Sequence, residues 1–277
     1  MSNEGHPAFS VSMCVYGGDD AAHFKTAVDS ILYGTVAPDE VVLVVDGPVP
    51  PALAEVIDGY EALPGFRVIR FEENRGHGEA RRAGLAACQN ELVAIMDADD
   101  ISAPDRFERE LAAIEATGAD VVGGMITEFV GEPENIVGRR TVLCDDAGIK
   151  ADLCGRCPMN LVTVMFRKSA VEAAGGFIDF YCEEDYYLWV RMTERGATFA
   201  NVDADVVNVR VGAEMYRRRG GWRYFKSERA LQKYMKKQGL IGFGTYTVNV
   251  AKRFVVQVLL PNRLRGWVFK KFARKSV

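Results

Sequence analysis

The chain has 277 residues, of which 48% are hydrophobic and 26% charged, and its formal net charge is −4. These values match globular averages and exclude a collagen-like, low-complexity or disordered chain. No apolar run approaches the roughly 18 residues of a membrane-spanning helix, and residues 1–7 lack the basic and apolar segments of a secretory signal, so we expect an intracellular protein.

In the first half of the chain, apolar β-branched runs alternate with helical patterns. The predicted strands are Phe9–Tyr16, Glu40–Val45, Phe66–Phe71, Leu92–Met96 and one that begins with Asp120–Gly124. The predicted helices are Ala21–Leu32, Ala52–Ala62, Gly78–Ala87 and one from Pro104 to Ala116. Continuous apolar strands separated by helices indicate parallel strands covered on both faces. The fold class is therefore α/β, with a doubly wound, mostly parallel sheet flanked by helices.

Two acidic segments follow predicted strands of this sheet. Asp46 follows the second strand, and Asp97-Ala98-Asp99-Asp100 follows the fourth. Because doubly wound sheets bind ligands at the carboxyl ends of their strands, we expect both segments to border one crevice.

Three carboxylates within four residues repel one another, and this repulsion raises their pKa values. A divalent cation removes the repulsion, and Mg²⁺ takes one or two protein carboxylates and completes its shell with water and phosphate oxygens. The cluster therefore predicts metal-assisted binding of a diphosphate. The alternative is that Asp99, Asp100 or Ser102 caps the helix that follows Pro104.

The second half of the chain is less regular. Its predicted elements are the strand Asn160–Phe166, the extended segment Phe199–Val209, and the helices Lys168–Ala174, Glu183–Arg195, Gly221–Lys237, Val248–Leu259 and Arg263–Phe272. Cys154 and Cys157 form a single CxxC without a second such pair, and Pro158 follows directly. This argues against zinc and against a redox pair, so we interpret the two thiols as reduced and incidental.

The near-neutral total charge is a cancellation. From Arg210 to Val277 the chain carries 18 basic and 2 acidic residues, whereas residues 1–209 carry 16 basic and 36 acidic ones. Cations and apolar residues interleave from Lys252 to Lys275, as in interfacial helices that bind anionic headgroups. The alternatives are a tail packed on the acidic body or an oligomer contact.

Several short segments, in this order and spacing, resemble family-2 glycosyltransferases, which share the GT-A fold. They are Tyr16, Asp46-Gly47, Asn74-Arg75-Gly76, Ala80-Arg81, Met96-Asp97-Ala98-Asp99-Asp100, Gly175-Gly176-Phe177 and Glu184-Asp185-Tyr186. The similarity is greater to the bacterial amylovoran, capsule and O-antigen subgroup, on Ile101-Ser102, Pro104, Arg106-Phe107, Thr163-Val164-Met165-Phe166 and Arg218-Arg219-Gly220. The resemblance implies a catalytic domain over 1–215, with a nucleotide half to about residue 100 and an acceptor half from 101, and a basic helical appendage over 216–277.

The resemblance also implies the donor site. Tyr16 and Asp46 would hold the base and ribose, although Asp46 is also explained as a turn residue. Asn74, Gly76 and Arg81 would border the nucleotide and its diphosphate. Asp99 would be the main ligand of Mn²⁺ or Mg²⁺, with Asp97 contacting metal and sugar nucleotide and Asp100 supporting them. Arg218 and Arg219 would close over the diphosphate, since Arg binds phosphate bidentately; a solvated basic turn is the alternative.

The acceptor side is implied by Glu184 and Asp185. Asp185 matches the family's general base and Glu184 accompanies it, although the acids at 183–185 are also explained as helix caps. A single in-line displacement would invert the anomeric centre. The subgroup has Asn and His where this chain has Cys157 and Leu161, which leaves the acceptor open.

The function expected from this resemblance is an inverting, metal-dependent transfer of a hexose or N-acetylhexosamine from a UDP-sugar to a lipid-linked glycan. The protein would act in bacterial surface polysaccharide synthesis, at the inner face of the plasma membrane. A homodimer is left open. The alternatives are a nucleotidyltransferase, although residues 16–20 lack the cations of a phosphate loop, and a non-catalytic sugar-nucleotide-binding homologue. Without a basic body or a DNA- or RNA-binding motif, no nucleic-acid partner is expected.

Overall fold

A nine-stranded sheet forms the centre of the computed structural model, which describes residues 5–212 and 220–261. Its strands are β1 (Phe9–Tyr16), β2 (Glu40–Asp46), β3 (Phe66–Arg70), β4 (Leu92–Asp97), β5 (Ile101–Ser102), β6 (Val121–Phe129), β7 (Ile136–Arg140), β8 (Met165–Arg167) and β9 (Phe199–Arg210).

The strand order is β3-β2-β1-β4-β8-β6-β9-β5, and β7 pairs with β6 beside this path. The first four strands run parallel, as do β6 and β9, whereas β8 is antiparallel to both β4 and β6. The chain order changes direction between β1 and β4. This is the switch point, where open α/β sheets leave a crevice outside the carboxyl ends of their strands.

Helices cover both faces of the sheet. They are α1 (Ala21–Leu32), α2 (Pro51–Glu61), α3 (His77–Ala87), α4 (Arg106–Thr117), α5 (Asp146–Leu153), α6 (Lys168–Ala173), α7 (Glu184–Glu194), α8 (Trp222–Lys237) and α9 (Phe243–Phe254), the last continued by a π-helical segment, Val255–Leu259. One apolar cluster joins the sheet to α1, α2 and α4, and the other joins it to α3, α5, α7 and α8. Every residue of β2 is buried as a result, which explains its continuous apolar sequence.

The elements predicted for the first half are confirmed, with ends that differ by up to about two residues. The strand predicted over Asn160–Phe166 is wrong in its first part, where a 3₁₀ turn, Leu161–Thr163, precedes the short β8. The Thr163 hydroxyl donates to the Asn160 carbonyl at 2.8 Å, and this local bond competes with strand pairing. The short elements β5, β7 and α5 were not predicted.

A buried ion pair holds α4 under β4. Arg106 donates to the Ile95 carbonyl and to Glu110, each at 2.9 Å, and both side chains of the pair are fully buried. Burial raises the pKa of Glu110 to about 7, while the Arg106 charge opposes the shift. The end of β4, which carries Asp97, is thereby fixed to the helix behind it.

The described part of the predicted appendage packs on the sheet domain. Leu231 and Met235 of α8 are fully buried in the same cluster as Trp189 of α7. The domain boundary at residue 215 stays a prediction, and the helix predicted over Arg263–Phe272 lies outside the described residues. Across 5–212 and 220–261, no helix has both the length and the apolarity needed to cross a bilayer.

Candidate functional site

The strand register brings the predicted donor residues to one edge of the sheet. Tyr16 pairs with Asp46 across β1 and β2, and Cys14 pairs with Asp97 across β1 and β4. A cavity of about 610 Å³ opens there, at the switch point. Its lining residues are Cys14, Val15, Tyr16, Asp19, Asp46, Asn74, Gly76, His77, Ala80, Asp97, Ala98 and Asp99.

Asp46 fixes the loop that follows β3. Its two carboxylate oxygens accept the backbone N–H groups of Arg75 at 2.7 Å and Gly76 at 3.0 Å, and its carbonyl accepts the Asn74 side-chain amide at 3.2 Å. Gly47 has φ 88°, and a Cβ there would lie 2.6 Å from the Asn74 nitrogen. Asp46 thus fixes the loop and also lines the cavity, and its binding of base or ribose stays a prediction.

The loop after β1 presents Tyr16 and an acid that the sequence analysis missed. The Tyr16 ring is half exposed and covers Gly18, where a Cβ would lie 2.5 Å from the ring hydroxyl. Asp19 accepts the Tyr16 backbone N–H at 2.9 Å and lines the cavity. The sequence analysis used only the absence of cations in this loop, whereas its acids are the signal that predicts Asp19 in the cavity wall.

Three carboxylates of the cavity repel one another. Burial raises the pKa of Asp19 to about 6, and the charges of Asp99 and Asp97 add to the effect. Burial and the Asp97 charge also raise the pKa of Asp99. These are the electrostatics that a bound cation would relieve.

Asp100 does not line this cavity. It is buried, and its carboxylate accepts the Arg210 backbone N–H at 2.8 Å at the end of β9. Burial and the charges of Asp97 and Asp99 raise the pKa of Asp100 well above its ordinary value. The capping alternative is wrong, because α4 begins at Arg106 and its N-cap residue is Asp105.

The residues Asp97, Asp99 and Asp19 fit a cation that has one or two protein carboxylate ligands. Burial and neighbouring carboxylates raise the pKa values of Asp19 and Asp99, and carboxylate oxygens are the ligands that Mg²⁺ and Mn²⁺ prefer. Within the described ranges, no three His, Cys, Asp or Glu side chains stand close enough to form a complete metal site.

Arg81 links the donor cavity to α7. Its side chain is only 6% exposed and donates to Glu184 Oε1 at 2.8 Å and to Asp97 Oδ1 at 3.2 Å. Burial lowers the pKa of Arg81, but the Asp97 and Glu184 carboxylates outweigh it and hold this pKa above its usual value. Arg81 thus bridges two acidic motifs in the structure, and its predicted position beside the nucleotide and diphosphate stays a prediction.

The first two of the three acids at the start of α7 have separate partners. Glu183 is buried, and burial followed by the Glu228 charge raises its pKa well above its ordinary value, against a hydrogen bond from Tyr224. Glu184 binds Arg81; burial raises the pKa of Glu184, while the Arg81 charge lowers it. The acids therefore connect α7 to α8 on one side and to α3 on the other.

The third acid, Asp185, is half-buried and held by two donors. The Tyr186 backbone N–H donates to Oδ1 at 2.7 Å, and the Cys157 thiol lies 3.6 Å from Oδ2. Burial, followed by the Asp185 charge, raises the pKa of Cys157 well above 9, so the thiol stays protonated and donates. The six cysteines are free, as predicted. Cys157 is not incidental, however, because it contacts the predicted base.

The remaining predicted donor residues, Arg218 and Arg219, lie outside the described residues. Asp46, Asn74, Gly76, Asp97, Asp99 and Tyr16 are brought to one cavity, and Arg81 joins that cavity to Glu184 and its neighbour Asp185.

Comparison with known proteins identifies the family to which this chain belongs. The sequence pattern of "Glycosyl transferase family 2" matches residues 10–172. An Escherichia coli protein named UDP-Gal:alpha-D-GlcNAc-diphosphoundecaprenol beta-1,3-galactosyltransferase is 32% identical over 97% of this chain and 98% of its own. The amylovoran biosynthesis glycosyltransferase AmsE of Erwinia amylovora is 32% identical over 95% of this chain and 98% of its own.

The fold matches solved structures of S. aureus TarS. The TarS 1–349 structure has a TM-score of 0.67 and 16% identity, covering 95% of this chain and 75% of that one. Its complex with UDP has a TM-score of 0.65 and covers 96% and 75%. This confirms the predicted GT-A fold, and the family match and near full-length relatives confirm the predicted enzyme class. The chain belongs to glycosyl transferase family 2 and is a glycosyltransferase of the kind found in polysaccharide biosynthesis.

Proposed function

We propose that the protein transfers a hexose or N-acetylhexosamine from a UDP-sugar to a hydroxyl of a lipid-linked glycan, with inversion at the anomeric carbon. The observation that carries this proposal is the Arg81 bridge between Asp97 in the cavity wall and Glu184, the neighbour of Asp185. It sets a donor site and a candidate base on either side of one buried guanidinium.

On the donor side, Tyr16 and Asp46 bind the base and ribose, and Asn74 and Gly76 form the adjoining wall. Each carboxylate oxygen of Asp46 accepts one backbone N–H and keeps a further acceptor position, which suits the N3–H of uracil. UDP is supported as the nucleotide by the UDP-Gal in the name of the E. coli relative and by the UDP-bound TarS structure.

Asp99, with Asp97 beside it, holds Mn²⁺ or Mg²⁺ in this proposal, and Asp19 adds negative charge to the same wall. When bound, the cation neutralises charge on the leaving diphosphate. Asp100 supports this set from behind by fixing the 99–100 turn to β9 through its bond from Arg210.

In the reaction, the Asp185 carboxylate takes the proton of the acceptor hydroxyl. The hydroxyl oxygen bonds to the anomeric carbon as the bond from that carbon to the diphosphate oxygen breaks, and the electron pair leaves on the UDP. One displacement at one face inverts the configuration. The Tyr186 N–H and the Cys157 thiol orient the carboxylate, and Arg81 fixes the start of α7 through Glu184.

The acceptor is a lipid-linked glycan of bacterial surface polysaccharide synthesis: the name of the E. coli relative contains a diphosphoundecaprenol-linked sugar, and that of the Erwinia relative contains amylovoran biosynthesis. The protein is then cytoplasmic and peripheral on the inner face of the plasma membrane, with the basic segment 216–277 toward anionic lipid. Arg218 and Arg219 close over the diphosphate. The proposal includes no nucleic-acid partner and leaves a homodimer open.

A thermal-shift series with transfer assays tests the proposal. At about 100 times its Kd, UDP with Mn²⁺ stabilises the protein by about 2.7 kcal/mol through mass action, which raises Tm by about 5–10 °C. Asp99→Asn loses the metal-dependent part of this shift, whereas Asp58→Asn, at an exposed site on α2, keeps it. The proposal fails if no nucleoside diphosphate shifts Tm, and release of pyrophosphate from a nucleoside triphosphate supports a nucleotidyltransferase instead.

A further inference from the structure

The last described helix, α9 with its π-helical continuation, turns a polar side toward the protein body and an apolar side toward solvent. Helices on protein surfaces usually have the reverse arrangement. The polar residues Asn249 and Arg253 of α9 face the protein body. Asn249 is buried and donates to Gln232 Oε1 at 2.9 Å and to the Cys154 carbonyl at 2.8 Å. One turn further on, Arg253 pairs with the buried Glu228. A surface helix normally packs its apolar stripe against the core and keeps its polar residues in water.

The opposite side of this helix carries an exposed apolar stripe, the outer face, defined as Val248, Ala251, Val255 and Leu259. The three larger side chains are 51%, 46% and 60% exposed. Their spacing of three or four residues places them in one row. At one end, the half-exposed Trp222 ring packs against Phe254, with 5.9 Å between ring centroids. Burying the polar side therefore leaves an apolar row for some partner to cover.

The exposed charges of α9 and of the neighbouring α8 identify the kind of partner. Lys252 of α9 is exposed, and α8 exposes six further cations: Arg223, Lys226, Arg229, Lys233, Lys236 and Lys237. Among residues 220–261 the single acid is Glu228, which is buried against Arg253. Residues 262–277 continue the sequence with six basic and no acidic residues.

This combination favours a lipid surface over the other occupants. A second copy that docks through its own outer face, or the chain's own residues 262–277, would bring cations against cations. A nucleic acid would pair with the cations but leave the apolar row exposed to water. Anionic phospholipids satisfy both features, because acyl chains take up the apolar row and headgroups take up the cations.

We propose that the outer face is the surface by which this enzyme lies on an anionic phospholipid membrane. The inference rests on the proposed function, since it gives a lipid-linked acceptor its route to the base. The inner side of the same helix holds the loop beside Asp185: Asn249 and Arg253 donate to the carbonyls of Cys154 and Gly155, and the Cys157 thiol reaches Asp185. The helix thus lies between the proposed membrane surface and the loop that contacts the candidate base.

Vesicle co-sedimentation of the full-length protein tests this surface. The probes are phosphatidylcholine vesicles with and without phosphatidylglycerol. The variant is Val248→Gln with Val255→Gln and Leu259→Gln. The control is Val130→Gln with Val137→Gln and Leu143→Gln, three apolar residues of similar exposure, 45–47%, elsewhere on the protein. Both variants retain residues 262–277, so a difference between them reports on the outer face alone.

Wild type and control are expected to bind phosphatidylglycerol vesicles, and the outer-face variant to bind about tenfold more weakly with unchanged Tm. No binding by wild type, or equal binding by the outer-face variant, overturns the proposal. A lipid-free dimer that only the outer-face variant loses also overturns it, in favour of a second copy.

Transfer to a short-chain, water-soluble acceptor, measured without vesicles, separates the two proposals. The outer-face variant keeps this activity if both hold. If wild type lacks the activity with every UDP-sugar, the proposed function fails, whereas the vesicle result stands by itself.

Discussion

The acids of the donor cavity and the acids that begin α7 are both dense carboxylate clusters, yet the fold treats them differently. Burial raises the pKa values of Asp19 and Asp99 at the cavity wall, and the charges of neighbouring carboxylates raise them further. Within 183–185, in contrast, Glu183 faces α8, Glu184 binds Arg81, and Asp185 takes two donors. Carboxylates that lack cationic partners are suited to bind a metal ion. A carboxylate that is oriented by its own hydrogen-bond donors is suited to act as a general base.

The largest effect is expected from Asp185→Asn, which removes the base but keeps an acceptor oxygen for the Tyr186 N–H. General-base catalysis contributes about 10²–10⁴-fold, so kcat should fall by about that factor while the UDP-induced Tm shift remains. Glu194→Gln, at the other end of α7, is the control and should keep full activity. Wild-type turnover by Asp185→Asn would remove this residue from the mechanism.

Arg81→Ala breaks the connection between the two clusters. It leaves Glu184, which is 18% exposed, and Asp97, which is 34% exposed, without their common partner, so the free energy of unfolding should fall by about 3 kcal/mol. Arg82→Ala, one residue along α3, removes an exposed pair with Glu79 and should cost at most about 1 kcal/mol. Urea unfolding measures both, and equal losses would contradict the bridge.

Cys157→Ala removes one donor to Asp185. Because the thiol orients Asp185 Oδ2, kcat/KM should fall about threefold across the pH profile, or about 0.7 kcal/mol, without loss of the UDP-induced Tm shift. Cys157→Ser should restore much of the wild-type kcat/KM. Cys154→Ala is the control, since that thiol bonds to the carbonyls of Lys150 and Leu240. An unchanged kcat/KM in Cys157→Ala would make the thiol merely structural.

The effect of Asp19→Asn is expected on the melting temperature, and it tests whether the cavity is a cation site. With its pKa raised to about 6 in the folded protein, Asp19 destabilises the metal-free fold as pH rises from about 4 through 6. The variant should therefore match wild type below pH 4, melt about 2–4 °C higher at pH 8 with chelator, and gain less from Mn²⁺ with UDP. Asp20→Asn, at the N-cap of α1, should show no such gain.

The sequence predicted the first four strands and their position between two layers of helices well. Their continuous apolar runs are stable only when helices cover both faces of the sheet. The predicted topology places Asp46 and Asp97 at one edge of the sheet, and the strand register confirms this placement. Their assignment as ligand and metal residues stays a prediction.

The sequence does not show which distant side chains become partners when the chain folds. Arg81 and Glu184 are 103 residues apart, and neither residue type names its partner. In the sequence, Asp19 is one of several polar residues in a loop. Only the pairing of β1 with β4 places it near Asp99 in the cavity wall. Arg253 was counted among the cations that meet headgroups, but the structure pairs it with the buried Glu228, so that expectation was wrong.

The sequence by itself determined the layered α/β architecture, the acidic strand ends and the basic C-terminal segment, since these follow from local periodicity and composition. The tertiary structure alone decided which acids were neutralised and which were left to repel, and which side of α9 faces the body. The physical reason is that periodicity gives a helix two faces without choosing between them. That choice came from Gln232, Glu228 and the Cys154 and Gly155 carbonyls, which together bind the polar side.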